Sequence, residues 1–246
     1  MSDGFFLADL PERLVLGSTV ELTGPEAHHA GVVRRLQPGE VATVADGAGR
    51  GVRGPVQQVA PGSVRLSVAE ILLDQVARPP ITVVQALPKQ DRAELAVDLM
   101  TEVGVDVIVP WQAARSVVRW SGPRADKALE RWRSSARQAS KQARRLTVPT
   151  VAELASTAQV VELVARAGQA VVCHEAAQQP ISQLRPAPDS PLVCVIGPEG
   201  GLGPDELATL AQAGGVVVSL GPTVLRTSTA GAVAVAALRL LTELGR

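Results

Sequence analysis

Two short loops near the carboxyl end carry residue types from which a binding site could be built: GPEGG, Gly197–Gly201, and GPTVLR, Gly221–Arg226. Glycines let the backbone come close to a ligand, and Glu199 and Arg226 add opposite charges. GPEGG lacks the Lys-Ser/Thr pair of a phosphate-binding P-loop and the GxGxxG spacing of a dinucleotide fold. Its Glu199 carboxylate would also repel a phosphate. A ligand without phosphates and partly cationic fits better, with backbone amides and carbonyls gripping an adenine edge. Cys173 and His174 are a third candidate group, but neighbours in a strand point to opposite faces and cannot meet each other. Cys173 and Cys194 therefore read as small buried hydrophobes. With His only at positions 28, 29 and 174, no ligand set has metal-binding spacing, and no metal is expected.

Each loop must be held by the elements on either side of it. The first lies between an apolar strand, Leu192–Ile196, and a helix starting at Pro204, where Pro at the first helical position and Asp205 and Glu206 in the first turn mark the start. The second lies between a strand, Val216–Leu220, and a small-residue helix from Thr227 or Ser228. Upstream, strand Ile81–Leu87 leads to a helix with Leu95, Leu99 and Val103 as its apolar face, Ala96 and Met100 alongside and Gly104 as its stop. Strands Val105–Pro110 and Ala170–His174 and a helix at Ala158–Ala167 continue the alternation. Such alternation predicts a mainly parallel sheet, which binds ligands where strand carboxyl ends meet helix amino ends.

The first 74 or so residues read differently. Short runs at Arg13–Leu16, Val41–Ala45, Val52–Val59 and Val64–Leu72, separated by Pro38-Gly39, Asp46-Gly47 and Pro61-Gly62, have the rhythm of a small barrel. A short helix within Gly24–Glu40 would turn Ala30, Val33 and Leu36 inward and end at Arg34 and Arg35. Those arginines suit either phosphate contact or a solvated helix terminus. Gln75–Pro80, ending in two prolines, reads as a linker. The 246 residues suffice for two modest domains with real cores, and the formal charge is zero. The amino terminus lacks a signal-peptide core and no run approaches a membrane span, so a cytoplasmic protein is expected.

Zero net charge conceals one strong asymmetry. Ten of the 24 basic residues lie between Arg115 and Arg145, against only Asp126 and Glu130. Ala125, Ala128, Trp132, Ala136, Ala139 and Ala143 recur there at three- and four-residue spacing, which predicts an amphipathic helix with a basic outer face. A solvated helix is one reading. Clustering without the Glu partners of intrahelical pairs favours the other, a nucleic-acid backbone as partner.

IGPEGGLGPDEL (Ile196–Leu207) paired with LGPTVLRTSTA (Leu220–Ala230) resembles the signature of the RsmE family, the small-subunit 16S ribosomal RNA (uracil-N3)-methyltransferases of the SPOUT superfamily. HHAGVVRRLQPGE, QALPKQDRAELAVDLMTEVGVDVIVPW and RQASKQARRLTVPTV extend the likeness over the whole chain in family order. The resemblance implies an α/β fold: a PUA-like RNA-binding β-barrel over 1–74, and over 80–246 a SPOUT methyltransferase domain with a deep trefoil knot, assembled as a homodimer. It implies S-adenosylmethionine as methyl donor, without metal, held by Leu87, His174, Ile196, Gly197, Pro198, Glu199, Gly200, Gly201, Leu220, Gly221, Leu225, Arg226, Thr227, Ser228, Thr229 and Ala230. RNA would be held by His29, Arg34, Arg35, Arg115, Arg131, Arg137, Lys141, Arg144 and Arg145, within the small ribosomal subunit. Arg226 is the candidate for stabilising charge on the uracil oxygens, with Glu199 a second catalytic candidate or its ion-pair partner. Two departures stand out. Ser228 replaces a family Glu, which removes a carboxylate from any base role, and Lys141 replaces another, which adds to the basic face. The alternatives are a SPOUT enzyme acting elsewhere on transfer or ribosomal RNA, at a ribose or a base, and a non-catalytic RNA-binding protein of the same fold.

Overall fold

The structure is a computed structural model that describes residues 3–74, 78–187 and 189–244. It divides into two compact units, Met1–Val76 with Ser140–Val148, and Ala77–Ala139 with Pro149–Arg246. The second unit therefore differs from the expected 80–246, because Ser140–Val148 packs with the first. Of the expected linker, Gln75–Ala77 lies outside the described residues.

The first unit is a six-stranded, mostly antiparallel sheet built from β1 (Gly4–Leu7), β2 (Thr19–Thr23), β3 (Val41–Ala45), β4 (Arg50–Ala60), β5 (Ser63–Ser67) and β6 (Glu70–Leu73). The long β4 organises it: its first half pairs with β3 and β6, its second with β5. That switch of partners splits the single run expected over Val64–Leu72 into β5 and β6. At the crossing a methyl on Gly54 would lie 1.8 Å from the Ser67 carbonyl oxygen, so only glycine fits. Arg13–Leu16 is not a strand; β1 and β2 form the sheet instead. Helix α1 (Gly24–His28) runs into a wider π turn, His29–Val33. That widening turns Val33 outward, 60% exposed, while Ala30 and Leu36 are buried as expected. Phe6, Leu22, Val44, Val52 and Leu66 fill the core.

In the second unit, helices α2 (Gln90–Glu102), α3 (Pro123–Gln142, whose last turn belongs to the first unit), α4 (Thr157–Arg166), α5 (Pro204–Gln212) and α6 (Thr227–Leu244) alternate with six strands. These are β7 (Ile81–Ala86), β8 (Val107–Trp111), β9 (Thr150–Val151), β10 (Gln169–Cys173), β11 (Leu192–Ile196) and β12 (Gly215–Val218). The sheet is wholly parallel, in the order β12-β10-β11-β7-β8-β9. Every residue of β11 is buried, as a strand covered on both faces requires. Chain direction across the sheet reverses between β7 and β11, which makes a crevice at their carboxyl ends. Helix α2 turns a different face inward from the one expected. Ala96, Val97 and Met100 are fully buried, while Leu95 is 47% exposed and Val103 also reaches solvent. Both stripes satisfy helical spacing, and α6 decides between them. Gly231 lets Met100 come so close that a methyl there would lie 2.6 Å from its sulfur. No helix among the described residues is long and apolar enough to cross a membrane.

Candidate functional site

At the carboxyl ends of β10, β11 and β12 lies a cavity of about 310 Å³. Three loops form its wall: Cys173, His174 and Glu175 after β10, Ile196 to Glu199 with Gly201 and Leu202 after β11, and Leu220, Gly221 and Thr223 to Thr227 before and into α6, with Ala230 and Arg92 completing it. The strands bring the loops together because parallel neighbours end at the same level, Cys173 opposite both Ile196 and Val218.

The first loop is fixed from several sides. Glu199 accepts the Lys89 backbone N–H at 3.1 Å. The Arg115 guanidinium donates to the carbonyls of Gly200 at 3.2 Å and Leu202 at 3.5 Å. Glu206, buried in the first turn of α5, accepts the N–H groups of Ala114 at 2.7 Å and Gly203 at 3.2 Å. The second loop has little of this. Gly221 to Val224 and Arg226 are exposed, Val224 at 78%, and the Arg226 carbonyl accepts only local N–H groups, from Thr229 and Ala230. Arg226 and Glu199 do not form the ion pair considered from sequence; both line the cavity, Glu199 bonded to Lys89.

Most of the expected cofactor residues line this cavity, but Leu87, Gly200, Ser228 and Thr229 do not. Leu87 is buried on the wall of a different cavity. Gly200 faces Arg115, and a methyl on it would meet that residue's carbonyl oxygen and Cβ at 3.3 Å. Ser228 is buried within α6. Arg92, Cys173, Glu175, Leu202, Thr223 and Val224 are lining residues missed from the sequence. Two of them, Cys173 and Glu175, lie at or just past a strand carboxyl end, where the general rule for open α/β sheets would have flagged them. Cys173 Sγ lies 3.6 Å from Cys194 Sγ. That contact, and then burial, push the Cys194 thiol up, which keeps it protonated and unreactive.

The residues proposed for RNA separate into several environments. Arg34, Arg35 and Arg144 are exposed, and Arg35 and Arg144 both have φ of 53°, the left-handed conformation. His29 is half-buried, with its ring edge-on to Phe6 at 5.9 Å. Arg131 is exposed and 3.8 Å from Glu94, and Arg137 is exposed on α3. Arg145 is half-buried. Arg115 is a clamp on the first loop. Lys141 differs from the expected phosphate contact: its side chain is only 10% exposed, and its ammonium donates to both oxygens of Glu26 at 2.8 and 3.0 Å. It ties Ser140–Val148 to α1 and does not belong to an open basic face. Ala128, Trp132, Ala136 and Ala139 are buried as the helical spacing requires.

The arrangement can hold a zwitterion. Two carboxylates, Glu175 and Glu199, and two guanidinium groups, Arg92 and Arg226, share one cavity whose glycine edge admits close approach. A methyl on Gly201 (φ 69°) would point to within 3.8 Å of Glu175 Oε1. Among the described residues no cluster of His, Cys, Asp and Glu could hold a metal.

Residues 76–239 match the model of an RNA methyltransferase domain. The chain is 47% identical to the ribosomal RNA small subunit methyltransferase E of Mycobacterium bovis, over 97% of this chain and 92% of that protein. It is 32% identical to the protein of the same name from Bacillus subtilis, over 98% of each. Among solved structures, the ribosomal RNA small subunit methyltransferase E of Neisseria gonorrhoeae, bound to S-adenosyl methionine, superposes with a TM-score of 0.83 at 27% identity, covering 98% of both chains.

Proposed function

The chain belongs to the ribosomal RNA small subunit methyltransferase E family, and from that premise we propose that it methylates N3 of a uridine in 16S ribosomal RNA of the small subunit. It is an S-adenosylmethionine-dependent RNA methyltransferase. The observation that carries the reading is the cavity at the carboxyl ends of β10, β11 and β12, where carboxylates and guanidinium groups converge without a phosphate-binding lysine. S-adenosylmethionine, when bound, supplies an electrophilic methyl group on a sulfonium.

Glu175 and Glu199 match the cationic parts of such a ligand and Arg92 matches its carboxylate, while the backbone of the first loop is already fixed by Arg115 and Glu206. Deprotonation of uracil N3 spreads negative charge onto the two flanking oxygens. Arg226 is the donor for that charge: it lines the cavity, is exposed, and has no ion pair among the described residues holding its planar fork elsewhere. Ser228, 2% exposed and off the cavity wall, is not placed to act as a base. The proton leaves to solvent, and positioning supplies much of the rate.

The rest of the reading concerns architecture and partners. The first unit is the PUA-like RNA-binding barrel, with Arg34 and Arg35 as phosphate contacts. The carboxyl-terminal segment forms the trefoil knot of the family, a topology that general rules of chain threading would not propose. The protein acts as a homodimer in the cytoplasm. Exposed Leu95 and Val103 on α2 and Leu240 on α6, two helices that pack on each other, support a partner on that side.

The test is nucleoside mass mapping of small-subunit RNA treated with the protein and labelled methyl donor. 3-Methyluridine is the expected product; methylation of a ribose or of guanine would overturn the N3 assignment.

A further inference from the structure

A second cavity, of about 690 Å³, opens in the same unit between the start of α2 and the first half of α3. Its volume is in the range of ligand sites. Its walls are Leu87, Pro88, Val118, Trp120 and Trp132, and its rim carries Arg119, Arg124, Lys127 and Arg131. Three acids also line it. Glu94 faces Arg131, Glu130 pairs with Arg133 at 2.7 Å, and Asp126 sits in the first turn of α3, where the helix dipole favours it. Arg124 and Lys127 have no ion pair among the described residues, so the rim is left cationic.

The aromatic content makes this placement informative. The chain has three Trp, two Phe and no Tyr. Trp111 and Trp132 are buried, whereas Trp120 is half-exposed into the cavity. It is also held rigidly. Its ring packs edge-on against Trp132 at 5.3 Å and 79°, and its backbone N–H donates to Gln112 Oε1 at 2.9 Å. The strap that carries it is the one whose Arg115 holds the first loop of the cofactor cavity. The two are five positions apart in the chain, a span of at most about 18 Å.

We propose that this cavity is a second nucleotide site, which takes an unpaired base of the RNA flanking the methylated one. The base stacks on Trp120, and Arg124 and Lys127 hold the adjoining phosphates. Proteins that bind single strands combine these elements, an aromatic platform for a base and cations along the backbone. The inference rests on the ribosomal RNA methyltransferase reading.

The test uses the full chain and a fluorescein-labelled octauridylate. Trp120→Leu keeps the apolar contact with Trp132 but removes the stack. It should weaken octauridylate binding roughly 10-fold, within the range for one lost base stack, and leave melting temperature, S-adenosylmethionine affinity and salt slope unchanged. Trp120→Phe should recover part of the loss. Arg124→Gln with Lys127→Gln should instead lower the salt slope by about 1.4. In the wild type, saturating octauridylate should quench tryptophan fluorescence, since Trp120 is the accessible indole; absence of quenching overturns the proposal even if Trp120→Leu fails to fold. Unchanged affinity in a folded Trp120→Leu overturns it too. So does a fall in sedimenting mass with RNA affinity intact, which would make the cavity a contact between copies of this chain. Trp120-dependent octauridylate binding by a protein that does not methylate ribosomal RNA would leave this site standing and overturn the enzymatic reading alone. Normal methylation with no Trp120 dependence would do the reverse.

Discussion

The two loops that build the cofactor cavity have the same plan, strand to glycine-containing loop to helix, but they are held very differently. Gly197–Gly203 is tied by Arg115, Lys89 and Glu206 to the β7–α2 and β8–α3 connections of its unit. Gly221–Arg226 is exposed except at Leu225, and the described backbone bonds reach only its last carbonyl, Arg226, from Thr229 and Ala230 of α6. A wall whose backbone groups are already satisfied needs no reordering when a ligand arrives. A wall that is not pinned can adapt and can present Arg226 to a second substrate. Under the proposed function, recognition falls to the first loop and the catalytic contact to the second.

The largest effect should come from the second loop. Arg226→Lys keeps the charge but loses the planar fork, so turnover should fall roughly 10²-fold, as for loss of one oxyanion donor, with melting and cofactor affinity little changed. Because Arg226 and Glu199 are not paired, the stability effects of Arg226→Lys and Glu199→Gln should add. Coupling between them in a double-mutant cycle would mean that the second loop is pinned after all. Next in size is Glu206→Ala. It leaves the N–H groups of Ala114 and Gly203 without their acceptor, at a cost of about 1–3 kcal/mol, read as a lower melting temperature together with weaker cofactor binding by calorimetry. A loss of turnover with full cofactor affinity would contradict the division of roles.

Gly200→Val tests the same wall from the outside. The new side chain presses on the Arg115 backbone, and overpacking of this kind costs about 1 kcal/mol or more. Cofactor affinity should drop severalfold although Gly200 does not line the cavity; unchanged affinity would show that the Arg115 clamp is dispensable. The smallest effect is predicted for Val224→Ser, which should alter stability by no more than about 0.5 kcal/mol, as at other exposed positions. A larger drop in melting temperature would mean that Val224 is covered in solution.

Both loops are legible in the sequence alone, because their signals are local. Pro204 with Asp205 and Glu206 starts a helix whatever surrounds it, and an all-apolar run such as Leu192–Ile196 suits only a strand buried on both faces. Alternating strands and helices likewise required a parallel sheet, and a parallel sheet places ligands at its carboxyl ends. The family signature followed from the same residues. What stayed hidden depends on which element lies opposite which. Helix α2 carries two apolar stripes of similar spacing, and only the approach of α6 at Gly231 buried Ala96 and Met100 instead of Leu95 and Val103. Lys141 belongs to a run of cations that look alike in sequence, until the return of Ser140–Val148 to the first unit sets it against Glu26. Arg115 looked like one more phosphate contact, yet it is a clamp because the β8–α3 connection passes beneath the first loop. Local propensity and periodicity fix what a segment is. Its neighbours, often a hundred residues away, decide which of its faces is buried and what each charge does, and that information exists only in the folded chain.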